Sequence, residues 1–264
     1  MKLFFREVGD SSHPPLIILH GLFGSSDNWL TISKTIATQG YHVFSVDQRN
    51  HGQSPRHEGF DYDSMAADLH EFISEHQLHA PVLVGHSMGG KTVMQYVMNY
   101  PNATTKQSFS KLVVVDIAPR FYPVHHGDIL RGLTAIDLST LTNRNVADAT
   151  LSQFEASPAV RQFLLKNLYR TPDGRFDWRL NLPVIASEIH GVGEELNHPR
   201  TIAEPTLFIR GSESGYIADS DLPVIQKLFP HSRVATINGA GHWVQAEKPA
   251  EFVALLTSFL TAKT

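Results

Sequence analysis

Short apolar runs alternate with longer amphipathic stretches along the chain. Residues 16–19 (LIIL), 41–46 (YHVFSV), 81–84 (PVLV), 112–115 (LVVV), 206–209 (TLFI) and 234–237 (VATI) are β-rich and bounded by turn residues. None alternates strictly, which fits strands buried on both faces of a parallel sheet. Helical patterns over 64–76 and 89–100, and a last one opening near Lys248-Pro249, lie between or after them. Strand, helix, strand in repetition implies right-handed crossovers and an α/β fold. The rhythm breaks between Asp116 and Thr206, where helical pieces at 160–169 and 184–196 are separated by Pro and Gly and no strand stands out. That segment is too long for a plain loop. It predicts a helical cap over the carboxyl ends of the strands, so that residues 1–119 and 201–264 form a core and 120–200 the insertion.

With 264 residues, 42% hydrophobic and 18% charged, the chain has the balance of a globular protein large enough to bury its own core. A net charge of −4 leaves no basic excess to neutralise phosphates, so nucleic acid is not an expected partner. The absence of cysteine excludes disulfides, Cys-ligated zinc, iron–sulfur clusters and a thiol nucleophile. The 15 histidines are scattered without HExxH or other ligand spacing, so neither a metal nor another cofactor is expected, and the adjacent pair His125-His126 reads as a solvated loop. Arg6, Glu7 and Asp10 interrupt the N-terminal apolar residues, which argues against a signal peptide. No run approaches the about 18–20 apolar residues that span a bilayer. A soluble, cytoplasmic protein is the expectation.

The strongest chemical signal is Gly85-His86-Ser87-Met88-Gly89, set between an apolar run and a helical pattern. A serine on such a tight strand-to-helix turn needs small neighbours, and the turn presents its hydroxyl beside the positive end of a helix. Ser87 is therefore the candidate nucleophile. His20-Gly21-Leu22-Phe23-Gly24 follows the first apolar run, where a loop can supply an oxyanion donor; the N–H groups of Leu22 and Met88 are the candidates. His242, in Asn238-Gly239-Ala240-Gly241-His242 after the last strand, is the candidate base. Two carboxylates compete as its partner. Asp116 ends an apolar run, where a charge is costly without partners. Glu213 lies in the loop after the penultimate strand, and is the second choice. Ser214 is a candidate fourth member that holds the histidine or the acid. Arg49, in Asp47-Gln48-Arg49-Asn50, reads as a structural cation that pairs with carboxylates and braces the oxyanion loop.

These motifs, in this order, resemble the α/β-hydrolase fold from end to end: a mostly parallel sheet with flanking helices and a cap inserted after the strand ending at Asp116. The details HGLFGSSDNW, DQRNHGQS, GHSMGGK and VVVDIAP are similar to the YbfF-type bacterial esterases and the mammalian abhydrolase-domain proteins. The resemblance implies a serine esterase acting on small-to-medium acyl esters or thioesters, acyl-CoA among them, with Ser87 as nucleophile and His242 as base. It also implies that relatives with the usual acid carry Asp where Gly215 stands here, which favours Asp116. Aspartate-nucleophile relatives are excluded by Ser87. The same residues also suit a C–C bond hydrolase, a lyase, a perhydrolase, or a non-catalytic binding protein on this scaffold. Arg131, Arg144 and Arg170 are candidates for holding an anionic leaving group, though a solvated helix face accounts for them better.

Overall fold

A computed structural model describes residues 1–100 and 109–262. The elements run β1 (Phe5–Val8), β2 (Pro15–Leu19), α1 (Leu30–Ala37), β3 (His42–Val46), α2 (Tyr62–Glu75), β4 (Val82–His86), α3 (Met88–Asn99) and β5 (Lys111–Val115). Then come α4 (Gly127–Ala135), α5 (Arg144–Leu151), α6 (Pro158–Leu165), β6 (Leu168–Arg170), β7 (Phe176–Trp178), α7 (Leu182–Ser187) and α8 (Ile189–Val192). The chain ends with β8 (Thr206–Gly211), α9 (Leu222–Leu228), β9 (Ser232–Ile237), α10 (Val244–Glu247) and α11 (Pro249–Thr261). Seven strands form one sheet in the order β1-β3-β2-β4-β5-β8-β9. All neighbours pair in parallel except β1, which runs antiparallel to β3 at the edge.

The central strands β2, β3, β4 and β5 are buried along nearly their whole length, because helices cover both faces. One apolar cluster includes Ile17, Leu19, Leu83 and Val114 under α2 and α3; the other joins Leu16, Val84, Val113 and Ile209 to Trp29 and Phe252. Local chemistry sets the helix starts. Asp61 accepts the Ser64 N–H at 2.7 Å to cap α2, and Ser157 caps α6 ahead of Pro158.

The structure differs from the sequence reading in three places. Strand β1 exists although Arg6 and Glu7 interrupt its apolar pattern; an edge strand needs only one covered face. The helix expected over 160–169 stops at Leu165, and the chain turns into the antiparallel hairpin β6–β7. The helix expected over 184–196 is two short pieces, α7 and α8, that end before Gly193.

Candidate active site

Parallel strands deliver their following loops to one edge of the sheet, and four such loops meet there. Ser87 sits between β4 and α3 with φ 52° and ψ −117°, a backbone conformation costly for any residue with a side chain. Its neighbours must be glycine: a Cβ on Gly85 would run into the Gly89 carbonyl, and one on Gly89 into the backbone of Leu19 and His20. The Ser87 hydroxyl donates to His242 Nε2 at 3.0 Å, and His242 Nδ1 donates to Asp116 Oδ2 at 2.8 Å. Asp116 follows β5, the strand beside β4, also in left-handed backbone with φ 51°. Its carboxylate is fully buried and accepts two further bonds, from the Gly211 N–H at 3.2 Å and from the Ser214 hydroxyl. Glu213, by contrast, is exposed, and among the described residues its carboxylate has no hydrogen bond or ion pair. The structure thus brings Ser87, His242, Asp116 and Ser214 into one hydrogen-bonded row and leaves Glu213 outside it.

The Ser87 end of the row opens into a narrow cleft. Leu22, Met88, Ile117, Tyr122, Ile189 and Val192 give it apolar walls, while Ser87, His125, His126 and Tyr216 supply polar groups. Leu22 and Met88, the two candidate oxyanion donors, flank Ser87 in this lining. Tyr216 was not singled out from the sequence. Its ring stacks on His242 with centroids 3.8 Å apart and planes 18° from parallel. Its hydroxyl, held protonated by burial that pushes it up to about 12, donates to His125 Nε2 at 2.7 Å. Both histidines line the cleft; His125 remains exposed in a loop, as the sequence suggested, while His126 is half-buried. Burial draws His126 down to about 4, with the neighbouring His125 and His242 adding to the shift.

A family model described as the alpha/beta hydrolase fold matches residues 14–249. The chain belongs to the α/β-hydrolase-fold family. It is 37% identical over 259 residues to sn-1-specific diacylglycerol lipase ABHD11 of Mus musculus, covering 96% of this chain and 82% of that protein. It is 36% identical over 265 residues to esterase YbfF of Escherichia coli, covering 98% and 99%. A solved structure described as a marine microorganism esterase superposes with a TM-score of 0.92 at 39% identity, covering 98% of this chain and 99% of that one. These relatives, named esterases and a lipase, together support an ester-hydrolysing enzyme.

Within this α/β hydrolase, a layer of buried polar groups lies behind the row. His20 accepts the Gln48 N–H at Nε2 (3.0 Å) and donates from Nδ1 to the Gly21 carbonyl (2.8 Å). His51 accepts the Phe23 N–H (3.2 Å), and His86 donates to the carbonyl of His242 (2.9 Å). Burial drives all three imidazoles toward the neutral form, to about 4 for His20 and about 3 for His51 and His86. Gln48, His20 and His51 thus brace the 20–24 loop. Arg49 pairs with a carboxylate as the sequence suggested, in a buried two-pronged contact with Asp68 at 2.6 and 2.9 Å, and also donates to the carbonyls of Gly59 and Ser64, so its contacts lie away from the loop it was expected to brace as well. The arginines suspected of gripping a leaving group are engaged within their own segment. Arg131 pairs with Asp128, Arg144 donates to the Leu168 carbonyl, and Arg170 donates to the carbonyls of Gly174 and Thr142; none lines the cleft. Among the described residues no cluster of His, Asp or Glu is placed to hold a metal, and no helix is long and apolar enough to cross a membrane.

Proposed function

We propose that the protein is a serine carboxylesterase that cleaves small-to-medium acyl esters or thioesters through an acyl-enzyme. The observation that carries this reading is the Ser87–His242–Asp116 row, whose Ser87 end lines an apolar cleft. Ser87 Oγ attacks the acyl carbonyl as its proton passes to His242 Nε2. Asp116 keeps the Nδ1 proton in place and stabilises the imidazolium, while Ser214 and the Gly211 N–H hold the carboxylate still. The N–H groups of Leu22 and Met88 receive the negative charge that develops on the carbonyl oxygen. His242 then protonates the departing alcohol or thiol. A water molecule, deprotonated by His242, attacks the acyl-serine; the collapse returns the proton to Ser87 and releases the acid.

The apolar lining suits a hydrocarbon acyl chain. The engagement of Arg131, Arg144 and Arg170 elsewhere gives no special hold on a CoA group. Treatment with a fluorophosphonate, followed by peptide mapping, should find one adduct, on Ser87. Ser87→Ala should abolish both the adduct and the hydrolysis of p-nitrophenyl acetate. An adduct on another serine, or hydrolysis that survives the substitution, overturns the assignment.

A further inference from the structure

Lys91 lies one turn along α3 from Ser87, and its N–H donates to the Ser87 carbonyl at 3.0 Å. Its side chain is fully buried. Burying an ammonium is expensive unless every proton finds an acceptor. Here the ammonium donates to three backbone carbonyls: Arg120 at 3.0 Å, Gly193 at 3.3 Å and Glu194. It also lies 4.9 Å from the Tyr122 ring centroid and 5.7 Å from that of Tyr62.

The placement of these acceptors gives the lysine its meaning. Arg120 stands where the chain leaves the core for the α4–α8 segment, and Gly193 and Glu194 stand where it returns. The two passages are zipped by Tyr122 N–H to the Gly193 carbonyl (2.8 Å) and Leu196 N–H to the Pro119 carbonyl (2.7 Å). Gly193 cannot carry a side chain, because a Cβ there would meet the Tyr122 carbonyl. The same passages supply wall to the cleft. Tyr122, Val192 and Gly193 line it, and Tyr62, which also lines it, donates its hydroxyl to the Val192 carbonyl at 2.7 Å.

From this we propose that Lys91 is a positioning residue that fixes the apolar wall of the cleft against the nucleophile helix, and so sets the length of acyl chain the enzyme accepts. One ammonium binds both roots of the inserted segment to the helix that opens at Ser87. The registration of Tyr122 and Val192 against the reacting serine follows from that one tie. This inference rests on the esterase reading above, and the two can fail separately.

The test compares the wild type with Lys91→Met, which keeps the aliphatic stem and removes the three donors, on p-nitrophenyl esters from acetate to decanoate. The ratio of kcat/KM for octanoate to that for acetate should rise about tenfold or more, the scale on which pockets discriminate single methylenes. The change should fall mainly in KM for the longer ester. Hydrogen exchange should show the Tyr122 and Leu196 amides losing protection while the interior amides of α3 keep theirs. A lysine serving only stability would lower the unfolding midpoint and leave the chain-length ratio and those two amides unchanged; that result overturns the proposal. Should Lys91→Met not fold, Lys91→Gln keeps a polar end too short to reach the carbonyls of Arg120, Gly193 and Glu194 together, and an unchanged ratio with unchanged protection of the Tyr122 and Leu196 amides in that variant overturns the proposal equally. A wild type that takes no fluorophosphonate on Ser87 condemns the esterase reading instead.

Discussion

Replacing Asp116 by asparagine removes one negative charge and turns one acceptor into a donor with almost no change in shape, and the structure sets the size of the effect. One carboxylate oxygen accepts the Gly211 N–H, a donor fixed in the backbone; the other accepts His242 Nδ1–H and the Ser214 hydroxyl. The amide of Asn can satisfy only one side. With its oxygen toward Gly211, its NH2 donates to His242 Nδ1 and drives the imidazole proton onto Nε2, where it blocks the transfer from Ser87. Turned the other way, the NH2 opposes the Gly211 N–H, at a cost of about 1–3 kcal/mol, or a factor of about 5 to 160 in population. The competent minority then faces the imidazolium with a neutral oxygen in place of a charged one, which costs about 1–2 kcal/mol more. The product predicts a fall in kcat of about 30- to 5,000-fold, whose upper end approaches the loss of about 10⁴ in serine proteases given the same change. KM should barely move, because the substrate does not touch Asp116. The assay is steady-state hydrolysis of a p-nitrophenyl ester beside the rate of fluorophosphonate labelling, with circular dichroism to verify the fold. Glu213→Gln should stay close to wild type. An Asp116→Asn enzyme that keeps more than a tenth of its kcat, or a Glu213→Gln enzyme that loses as much, refutes the reasoning.

Two further outcomes concern stability. His20, His51 and His86 are held neutral in the fold, at about 4, 3 and 3, whereas in the unfolded chain they titrate near about 6.5. The unfolded state therefore binds more protons below that value, so stability is complete above pH about 6.5 and drains as the pH falls toward the folded values, by up to about 3–5 kcal/mol per histidine. Urea midpoints that stay level from pH 7.5 to 4.5 would contradict this. Asp68→Ala strips Arg49 of its buried partner, both side chains being under a tenth exposed, and should cost about 3–5 kcal/mol in denaturant unfolding. A midpoint shift worth under a kilocalorie would show that the Gly59 and Ser64 carbonyls and water suffice for the guanidinium.

What the sequence makes legible is what depends on neighbours along the chain. β2, β3, β4, β5 and β8 stand out because a strand covered on both faces must be apolar at successive positions, while β9, a partly buried edge strand, is marked only by its β-rich run at 234–237. The elbow shows itself because a strained serine demands Gly85 and Gly89 locally. Ser87 and His242 were nameable as candidates for the same reason: each sits in a glycine-marked turn after a strand. β1 escapes notice because its burial is partial, and β6–β7 because three-residue strands carry too few positions to set a period. The run Thr171-Pro172-Asp173-Gly174 between them is a turn signal from which the hairpin could have been found. Tyr216, the His125-His126 pair and Lys91 gain their places only when separate segments close over one another. No local pattern marks them, apart from the helical spacing that puts Lys91 one turn after Ser87.

The neck formed by Pro119, Tyr122, Gly193 and Leu196 has a bearing on how such a chain can change over time. The segment leaves after β5 and returns into β8, and those two strands are hydrogen-bonded neighbours, with Val115 opposite Ile209. Its ends are therefore held together by the sheet itself. The entropy of closing a loop grows only with the logarithm of its length, about 0.6 kcal/mol per doubling. Adding or deleting a helix beyond the neck thus costs the sheet almost nothing in chain entropy, and leaves the backbone at Ser87, Asp116 and His242 where it was. A core organised in this way can exchange the whole of the segment beyond its neck while the strands and the row at their edge remain a fixed inheritance.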